Sequence, residues 1–209
     1  GSSTLRGDNA NKRIDLNSST RDYIAGITCK SIAEKTIPKK LLKAHKAGLI
    51  HWHDMDYSPV QKMHNCDLVN VEDMFKNGFQ MGDTLIEPND QTPFETACNL
   101  LAQINLQVSS CQYGGQTVSW SHLLPYIDKS RQQIKNKLIE DSYSTPYGQF
   151  CKKVHIKPYN EKWLKEKTEE KLREEIYKGV KTYQYQVLCH SSSNGQTPFV
   201  SNNLCLREA

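Results

Sequence analysis

The residues that could carry chemistry are concentrated in one short stretch, 48–70, which reads GLIHWHDMDYSPVQKMHNCDLVN. Asn65 and Cys66 come directly before the apolar pair Leu68-Val69, and that pair predicts the opening of a buried strand. A carboxamide and a thiol would then be delivered together at a strand end, where functional groups often lie. The alternative is that Cys66 is a buried structural thiol, which is the commonest role of a cysteine that forms no disulfide.

The same stretch contains His51, His53, Asp54 and Asp56. On an extended backbone, the i and i+2 spacing of the two histidines places both imidazoles on one face. Histidines and carboxylates are suitable metal ligands, so one hypothesis is a metal site. The other is that these side chains hydrogen-bond turn backbone and each other beneath an active site. The spacing does not decide between them.

Two further turns are candidate binding segments. Gly114 and Gly115 could cradle a phosphate, but the lysine of a P-loop is absent, and a turn that ends a helix explains them equally well. A second polar turn precedes a strand-like segment at 197–205, and its N–H and hydroxyl groups suit anionic or ribose oxygens. A purely structural turn is equally compatible. The residues of this second turn are Ser192, Ser193, Gly195 and Gln196.

The elements that must position these residues are mostly helices, because every long periodic segment has a 3.6-residue repeat. The fold class is therefore predicted as mainly α with a few strands, confined to regions near 66–70 and 197–205. Residues 141–158 are predicted to be a loop-rich connection. The predicted helices cover 21–36, 38–47, 71–78, 93–112, 121–140 and 160–190.

The first predicted helix has candidate N-caps at 18–20 and an apolar stripe of Ile24, Ile27, Ser31 and Ile32. The second is bounded by Pro38 and Gly48, which are favourable residues at a helix start and a helix end. The buried side of the last helix is predicted to comprise Trp163, Leu164, Leu172, Ile176, Val180 and Tyr183.

The fourth predicted helix has the strongest local signal in the chain. Thr92 and Glu95 have capping-box spacing, and Pro93 suits the first helical position. We expect the buried side to comprise Ala97, Leu100, Leu101, Ile104 and Val108. With Gly114-Gly115 as the corner, this helix and the next predict a helical hairpin.

Composition limits the class of protein. The chain has 209 residues, of which 37% are hydrophobic and 24% charged, and this suits one domain or a large piece of one. The net charge is +4, and the lysines of 152–181 alternate with glutamates, which indicates a solvated helix face rather than a nucleic-acid surface. No apolar run reaches the roughly 18 residues needed to span a membrane, so we expect a cytoplasmic protein. Residues 1–3 resemble a tag remnant.

The seven cysteines form no CxxC pair, which argues against a disulfide framework or a zinc knuckle. Cys29, Cys98 and Cys111 lie in helical patterns among apolar neighbours and are predicted to be small buried residues.

Seven motifs in order carry a resemblance to a known family. They are DNAN at 8–11, RDYIAG at 21–26, HKAGLIHWHDMDYSP at 45–59, HNCDLVN at 64–70, NGFQMG at 77–82, QYGGQT at 112–117 and SSNGQTPFVS at 192–201. Together they resemble the large subunit of the anaerobic, oxygen-sensitive ribonucleoside-triphosphate reductases of the glycyl-radical class.

The resemblance implies a ten-stranded α/β barrel, of which residues 4–209 would supply the N-terminal helices and first strands. It places a nucleotide-binding cone, a finger loop with a thiyl-radical cysteine, and a C-terminal region with the radical glycine and a four-cysteine zinc site outside this chain. We therefore expect the chain to be inactive by itself.

The resemblance also implies roles for single residues. Cys66 matches a second active-site cysteine that acts through a transient disulfide radical, while the 2′-hydroxyl leaves as water and formate supplies the reducing equivalents. Asn65 matches an active-site asparagine that would contact ribose hydroxyls or formate. The substrate would be a ribonucleoside triphosphate.

For regulation, the resemblance implies a homodimer through the helix pair at 93–140 and an effector site for ATP or a deoxynucleotide. Gln103, Gly114 and Gly115 are the candidate effector residues. A radical-SAM activating enzyme would be a further partner. Two alternatives remain open at this point: a non-catalytic helical dimerisation or nucleotide-sensing module, and a metal-dependent enzyme that uses His51 and His53.

Overall fold

The computed structural model describes residues 17–57, 66–89, 91–111, 115–189 and 198–204. Helices dominate these residues, with short strands between them, which confirms the predicted fold class. The ten-stranded barrel stays a prediction. In chain order the elements are α1 (Asn17–Thr36), α2 (Lys39–Lys46), β1 (Asp67–Leu68), α3 (Val71–Asn77), β2 (Phe79–Met81), β3 (Thr84–Ile86), α4 (Phe94–Cys111), β4 (Gln116–Ser119), a 3-10 helix (Trp120–Leu123), α5 (Leu124–Ser144), α6 (Pro146–Lys153), α7 (Glu161–Cys189) and β5 (Val200–Asn203).

The chain divides into two compact units. Among the described residues, no helix combines the length and the apolar character that crossing a membrane requires. The first unit comprises Gly1–Val69, Gln103–Val118 and Val187–Ser201, and the second comprises Asn70–Ala102, Ser119–Gln186 and Asn202–Ala209.

Helix α1 of the first unit differs from its prediction in two ways. It already includes Asn17, so the expected caps at 18–20 lie inside the helix. The predicted apolar stripe is also wrong, because Ile24 and Ile27 are 60% and 52% exposed while Ala33 is completely buried. Apolar residues are spread around this helix, so the pattern alone does not fix which face is buried.

Helix α2 is bounded as predicted. Pro38 precedes it with φ −53° and ψ 130°. Gly48 follows it at φ +73°, a left-handed conformation that glycine adopts without steric cost. The Gly48 N–H donates to His45 O at 2.9 Å, and the Leu49 N–H donates to Ala44 O at 3.0 Å. These two bonds form a Schellman motif, which ends the helix and turns the chain toward the histidine segment.

Three strands form one sheet in the order β1-β4-β5. Strand β1 runs parallel to β4, with Asp67 opposite Gln116 and Leu68 opposite Thr117. The predictions of strands near 66–70 and 197–205 are confirmed, but the predicted helical hairpin is wrong because β4 interrupts it. Thr117 and Val118 are β-branched and favour a strand, and the partners of β4 come from distant parts of the sequence.

A second, two-stranded sheet was not predicted. Strands β2 and β3 form an antiparallel hairpin in the second unit, with Phe79 opposite Ile86. Helix α3 ends at Gly78 as expected, with φ +79°. Phe79 stacks on Phe75 at 6.2 Å between ring centroids, and Phe75 meets Tyr126 edge-on at 5.3 Å. Buried aromatic contacts therefore anchor the hairpin to α3 and α5.

The start of α4 is capped differently from the prediction. The Thr92 hydroxyl accepts the Asn89 N–H at 3.0 Å rather than capping the helix. The Phe94 N–H donates instead to Ser130 Oγ at 2.7 Å, and the Glu95 N–H donates to Glu175 Oε1 at 3.4 Å. The capping box is therefore replaced by polar groups from α5 and α7, which satisfy first-turn N–H groups that have no partner within the helix.

The last two helices are partly as expected. The loop predicted at 141–158 contains helix α6, whose N-cap Thr145 accepts the Gly148 N–H at 2.9 Å. That prediction was wrong because two prolines were interpreted as loop residues, whereas Pro146 occupies the first helical position, where proline is tolerated. In α7, Leu164, Leu172 and Tyr183 are buried as predicted, but Trp163 and Val180 are 45% and 40% exposed.

Candidate active site at the start of strand β1

Cys66 is an exposed residue directly before strand β1. The Asp67 N–H donates to Gly115 O at 3.1 Å, and the Val69 N–H donates to Thr117 O at 2.9 Å. These two bonds fix the backbone on the C-terminal side of the cysteine. Cys66 stands at a strand end as predicted, but the expectation of a buried strand is wrong, because Leu68 in β1 is 86% exposed. Cys66 itself is exposed in this chain, which does not fit the alternative of a buried structural thiol. Its active-site role stays a prediction.

Strand β4 is itself held on its other side. The Gln116 N–H donates to Phe199 O at 2.9 Å, next to β5. The Gln116 side chain is 2% exposed and donates from Nε2 to the backbone oxygen of Asn105 in α4 at 2.7 Å. The strand that supports Cys66 is therefore fixed to a helix and to a neighbouring strand.

The environment of Cys98 contrasts with that of Cys66. Cys98 is completely buried in the second unit. Burial raises the pKa of its thiol to about 12, and the nearby carboxylates of Glu95 and Glu175 add to the effect. A neutral, inaccessible thiol is unsuited to redox chemistry. Of these two cysteines, only Cys66 has the access that a reacting group needs.

The histidine segment was expected to be extended, but it forms a turn from residue 53 onward. Residues 53–57 are in turn conformation, and Asp54 has φ +53°, a left-handed value that aspartate tolerates better than most residues. His53 Nδ1 lies 3.0 Å from Asp54 Oδ1, so the expected pairing within the segment is present there. The rings of His51 and His53 are nevertheless neighbours, with centroids 5.3 Å apart.

A third imidazole, which sequence reasoning missed, joins this group. The His45 ring lies 5.6 Å from that of His51, and His45 Nδ1 accepts the Trp52 N–H at 3.1 Å. The segment also lies against α1, because Asp56 packs beside Gly26 and the Tyr57 hydroxyl donates to Asp22. These contacts give the segment a structural role.

Metal ligation finds no support in this geometry. Within the part of the chain that the structure describes, no group of three or more His, Cys, Asp or Glu side chains is arranged to hold a metal ion. The placement of His51, His53, Asp54 and Asp56 beneath an active site stays a prediction.

Several predicted site residues lie outside the described residues. Gln103 is described and lies half-buried on α4. Gly115 is also described, and it accepts the Asp67 N–H as given above. The predicted residues that fall outside the description are Asn65, Gly114, Ser192, Ser193, Gly195 and Gln196, together with the side chain of Cys111.

Sequence reasoning also missed Gln116 and Phe199, which support the strand beside Cys66. One signal was present for Gln116, because a polar residue at the start of the β-branched run Thr117-Val118 is typical of a short strand. Phe199 had no such signal, since its role depends on contacts with a segment more than 80 residues earlier.

The chain is similar to known proteins over almost its whole length. A family model described as "Anaerobic ribonucleoside-triphosphate reductase" matches residues 8–209. A curated relative of that name from Enterobacteria phage T4 is 36% identical over 203 residues, which cover 94% of this chain and 30% of the relative. One from Haemophilus influenzae is 34% identical, covering 94% of this chain and 26% of the relative. One from Escherichia coli K12 is 33% identical, covering 95% and 25%. The chain thus spans between a quarter and three-tenths of the length of these relatives.

Proposed function

Because this chain belongs to the anaerobic ribonucleoside-triphosphate reductase family, we propose that it is part of an enzyme that converts ribonucleoside triphosphates to 2′-deoxyribonucleoside triphosphates. The observation that supports an active-site role for this chain is the exposed thiol of Cys66 at the start of a hydrogen-bonded strand. A thiol that reacts with a substrate and a second sulfur has to be accessible and held in place. The exposure of Cys66 and the sheet bond of the next residue, Asp67, support this proposal.

In this proposal Cys66 is the redox cysteine supplied by this part of the protein. A glycyl radical, which the resemblance assigns to a region outside this chain, would supply the unpaired electron that starts the reaction. Cys66 would hold its sulfur within bonding distance of a second cysteine and provide hydrogen to the ribose as the 2′-hydroxyl leaves as water. Formate is the proposed reductant, and its oxidation balances the reaction: one ribonucleotide, one formate and one proton give one deoxyribonucleotide, one carbon dioxide and one water.

The remaining site assignments rest on the sequence. Asn65 would hydrogen-bond to ribose hydroxyls or to formate, since a carboxamide can both donate and accept. The turn that contains Ser192, Ser193, Gly195 and Gln196 would contact substrate oxygens. Four side chains would hydrogen-bond turn backbone and each other beneath the active site, without contacting the substrate: His51, His53, Asp54 and Asp56. The His53–Asp54 pair is compatible with that role.

Regulation and assembly are proposed on the same basis. Gln103, Gly114 and Gly115 would contribute to a site for ATP or a deoxynucleotide effector, and the helix pair at 93–140 would form a homodimer. A radical-SAM enzyme would activate the complete protein, a structural zinc would belong to its C-terminal part, and the protein would act in the cytoplasm. This chain alone is expected to be inactive.

The test is a cysteine substitution in the full-length reductase that carries this chain. Cys66→Ser should reduce formate-dependent reduction of a ribonucleoside triphosphate to roughly a thousandth or less, as for the loss of a reacting group. Cys189→Ser is the control, because Cys189 is also exposed but lies at the end of α7 with no proposed role. Retained activity in Cys66→Ser would overturn the proposal and favour the helical, non-catalytic module instead.

A further inference from the structure

Gly115, the residue directly before β4, holds the backbone next to Cys66 through its carbonyl oxygen. Its carbonyl oxygen accepts the Asp67 N–H at 3.1 Å, and this is the first sheet bond after the cysteine. The next bond along the strand, from the Val69 N–H, is accepted by Thr117. The Gly115 carbonyl therefore fixes the backbone at the start of β1, next to Cys66.

The absence of a side chain at Gly115 is required by a neighbouring aromatic ring. A Cβ at this position would lie 2.8 Å from Phe199 Cδ1, closer than such atoms approach in folded proteins, and at an ordinary 3.4 Å from Cε1. The Phe199 ring rests directly on the backbone of the residue that holds β1.

The backbone of Phe199 has little freedom to withdraw from this contact, whereas its side chain is 57% exposed. Its carbonyl oxygen accepts the Gln116 N–H at 2.9 Å, which fixes its backbone to β4. Gln116 is in turn anchored through its buried side chain to Asn105 O at 2.7 Å. A side chain at 115 must therefore either displace the Phe199 ring from its packing or move the β4 backbone, and the second response shifts the acceptor of the Asp67 N–H.

We propose that Gly115 is a positioning residue for Cys66. Its missing side chain lets Phe199 pack against β4 and keeps the Gly115 carbonyl where it holds the start of β1. This role is separate from the nucleotide-effector role proposed above for Gly115. It rests on the proposed function only because that function makes Cys66 the redox cysteine. The substitution Gly115→Ala should displace the start of β1, and removing the Phe199 ring should relieve the displacement.

The first experiment measures amide hydrogen exchange in this chain. Gly115→Ala should speed exchange of the Asp67 N–H by about tenfold or more, the size expected from overpacking of a close contact. The Val69 N–H, which Thr117 accepts, should change less. The double variant Gly115→Ala/Phe199→Ala should restore Asp67 protection. Gly26→Ala is the control, because a Cβ there meets Asp56 Cβ at an ordinary 3.4 Å.

The second experiment uses the full-length reductase. Gly115→Ala should lower kcat by a similar factor with little change in KM, and the added Phe199→Ala substitution should restore kcat. Unchanged Asp67 exchange in Gly115→Ala would overturn the positioning role. So would a double variant that is as impaired or as unfolded as the single one, because the Phe199 ring would then not be the cause.

The two proposals fail separately. If Cys66→Ser keeps its activity, the proposed function fails, but the exchange measurements still decide whether Gly115 holds β1. If Cys66→Ser is inactive while Gly115→Ala changes neither exchange nor kcat, only the positioning role fails.

Discussion

The Ser130 hydroxyl lies 2.7 Å from the backbone nitrogen of Phe94 and caps a helix that begins 36 residues earlier in the chain. The same hydroxyl donates to Glu175 Oε1 at 2.6 Å. Ser130 is completely buried, so the Phe94 N–H that it accepts lies away from solvent, whereas Glu175 is partly exposed. One hydroxyl therefore links helices α4, α5 and α7 in the second unit.

Removing this hydroxyl should destabilise the chain measurably. Ser130→Ala removes the acceptor of the Phe94 N–H and one donor to the Glu175 carboxylate, and we expect the free energy of unfolding to fall by about 1–3 kcal/mol. Ser144→Ala is the control on the same helix, because the exposed Ser144 hydroxyl donates to Glu140 O within its own helix. Urea denaturation of both variants measures the difference. Equal stability of the two would show that the Ser130 bonds contribute nothing net.

Alanine substitutions at two helical glycines should change the stability of the chain in opposite directions. In α7, a Cβ on Gly179 would lie 3.1 Å from Cys98 Sγ, 3.2 Å from Phe94 Cδ1 and 3.3 Å from Glu95 Cα. Overpacking of about 1–3 kcal/mol should exceed the gain in helix propensity, so Gly179→Ala should be destabilising. Gly26→Ala in α1 meets no close contact and should stabilise by up to about 1 kcal/mol. Thermal denaturation measures both signs, and a stabilised Gly179→Ala would contradict the tight packing at this site.

The features that were predictable from the sequence are those set by neighbouring residues. Gly48 and Gly78 end their helices because each adopts a left-handed φ that its helix end requires. Most of the predicted buried face of α4 is correct, since Ala97, Leu101 and Ile104 are all buried. Cys66 was found at a strand end because an apolar pair follows it directly.

The features that were missed depend on distant partners. Strand β4 has only four residues, and its pairing with β1 and β5 overrides the helical hairpin that the flanking periodicity suggested. The capping box at Thr92 had the correct residue types, but Ser130 and Glu175 supply the acceptors instead. Phe199 could not be connected with Gly115 because nothing in either local sequence encodes their contact. Neighbouring residues were therefore sufficient to predict where helices end. They were not sufficient to predict contacts with residues from distant parts of the chain.

Cys98 should make stability depend on alkaline pH. Its folded pKa is raised from 9.0 to about 12, mainly by burial, so the folded state keeps a proton that the unfolded state loses above about pH 9. The stability that depends on the protonated Cys98 thiol is therefore fully present below pH 9 and is lost as the pH rises toward 12. Over that window, the wild-type free energy of unfolding should fall more steeply than that of Cys98→Ala, by up to about 1.4 kcal/mol per pH unit. Parallel curves in urea denaturation would contradict the assignment.

The imidazole of His45 should be held in one tautomer. Because its Nδ1 accepts the Trp52 N–H at 3.1 Å, the neutral ring must carry its proton on Nε2. Nitrogen-15 NMR at pH 8 should show this tautomer for His45, and the control is His155, whose side chain is exposed near the end of α6. A dominant Nδ1–H form of His45 would rule out the bond to Trp52.

Native alkylation should distinguish Cys66 from Cys98 by a wide margin. Cys66 is exposed, whereas Cys98 is completely buried and its pKa is raised to about 12. Since the thiolate is the reacting form, that shift alone should slow labelling of Cys98 at pH 8 by about a thousandfold relative to an ordinary thiol, before burial is considered. Cys189 is exposed at the end of α7 and serves as the internal reference for an accessible thiol. Iodoacetamide labelling followed by peptide mass mapping should find Cys66 and Cys189 modified while Cys98 is unmodified. If Cys98 reacted while Cys66 stayed protected, the thiol at the start of β1 would not be accessible, and its assignment as the redox cysteine would have to be withdrawn.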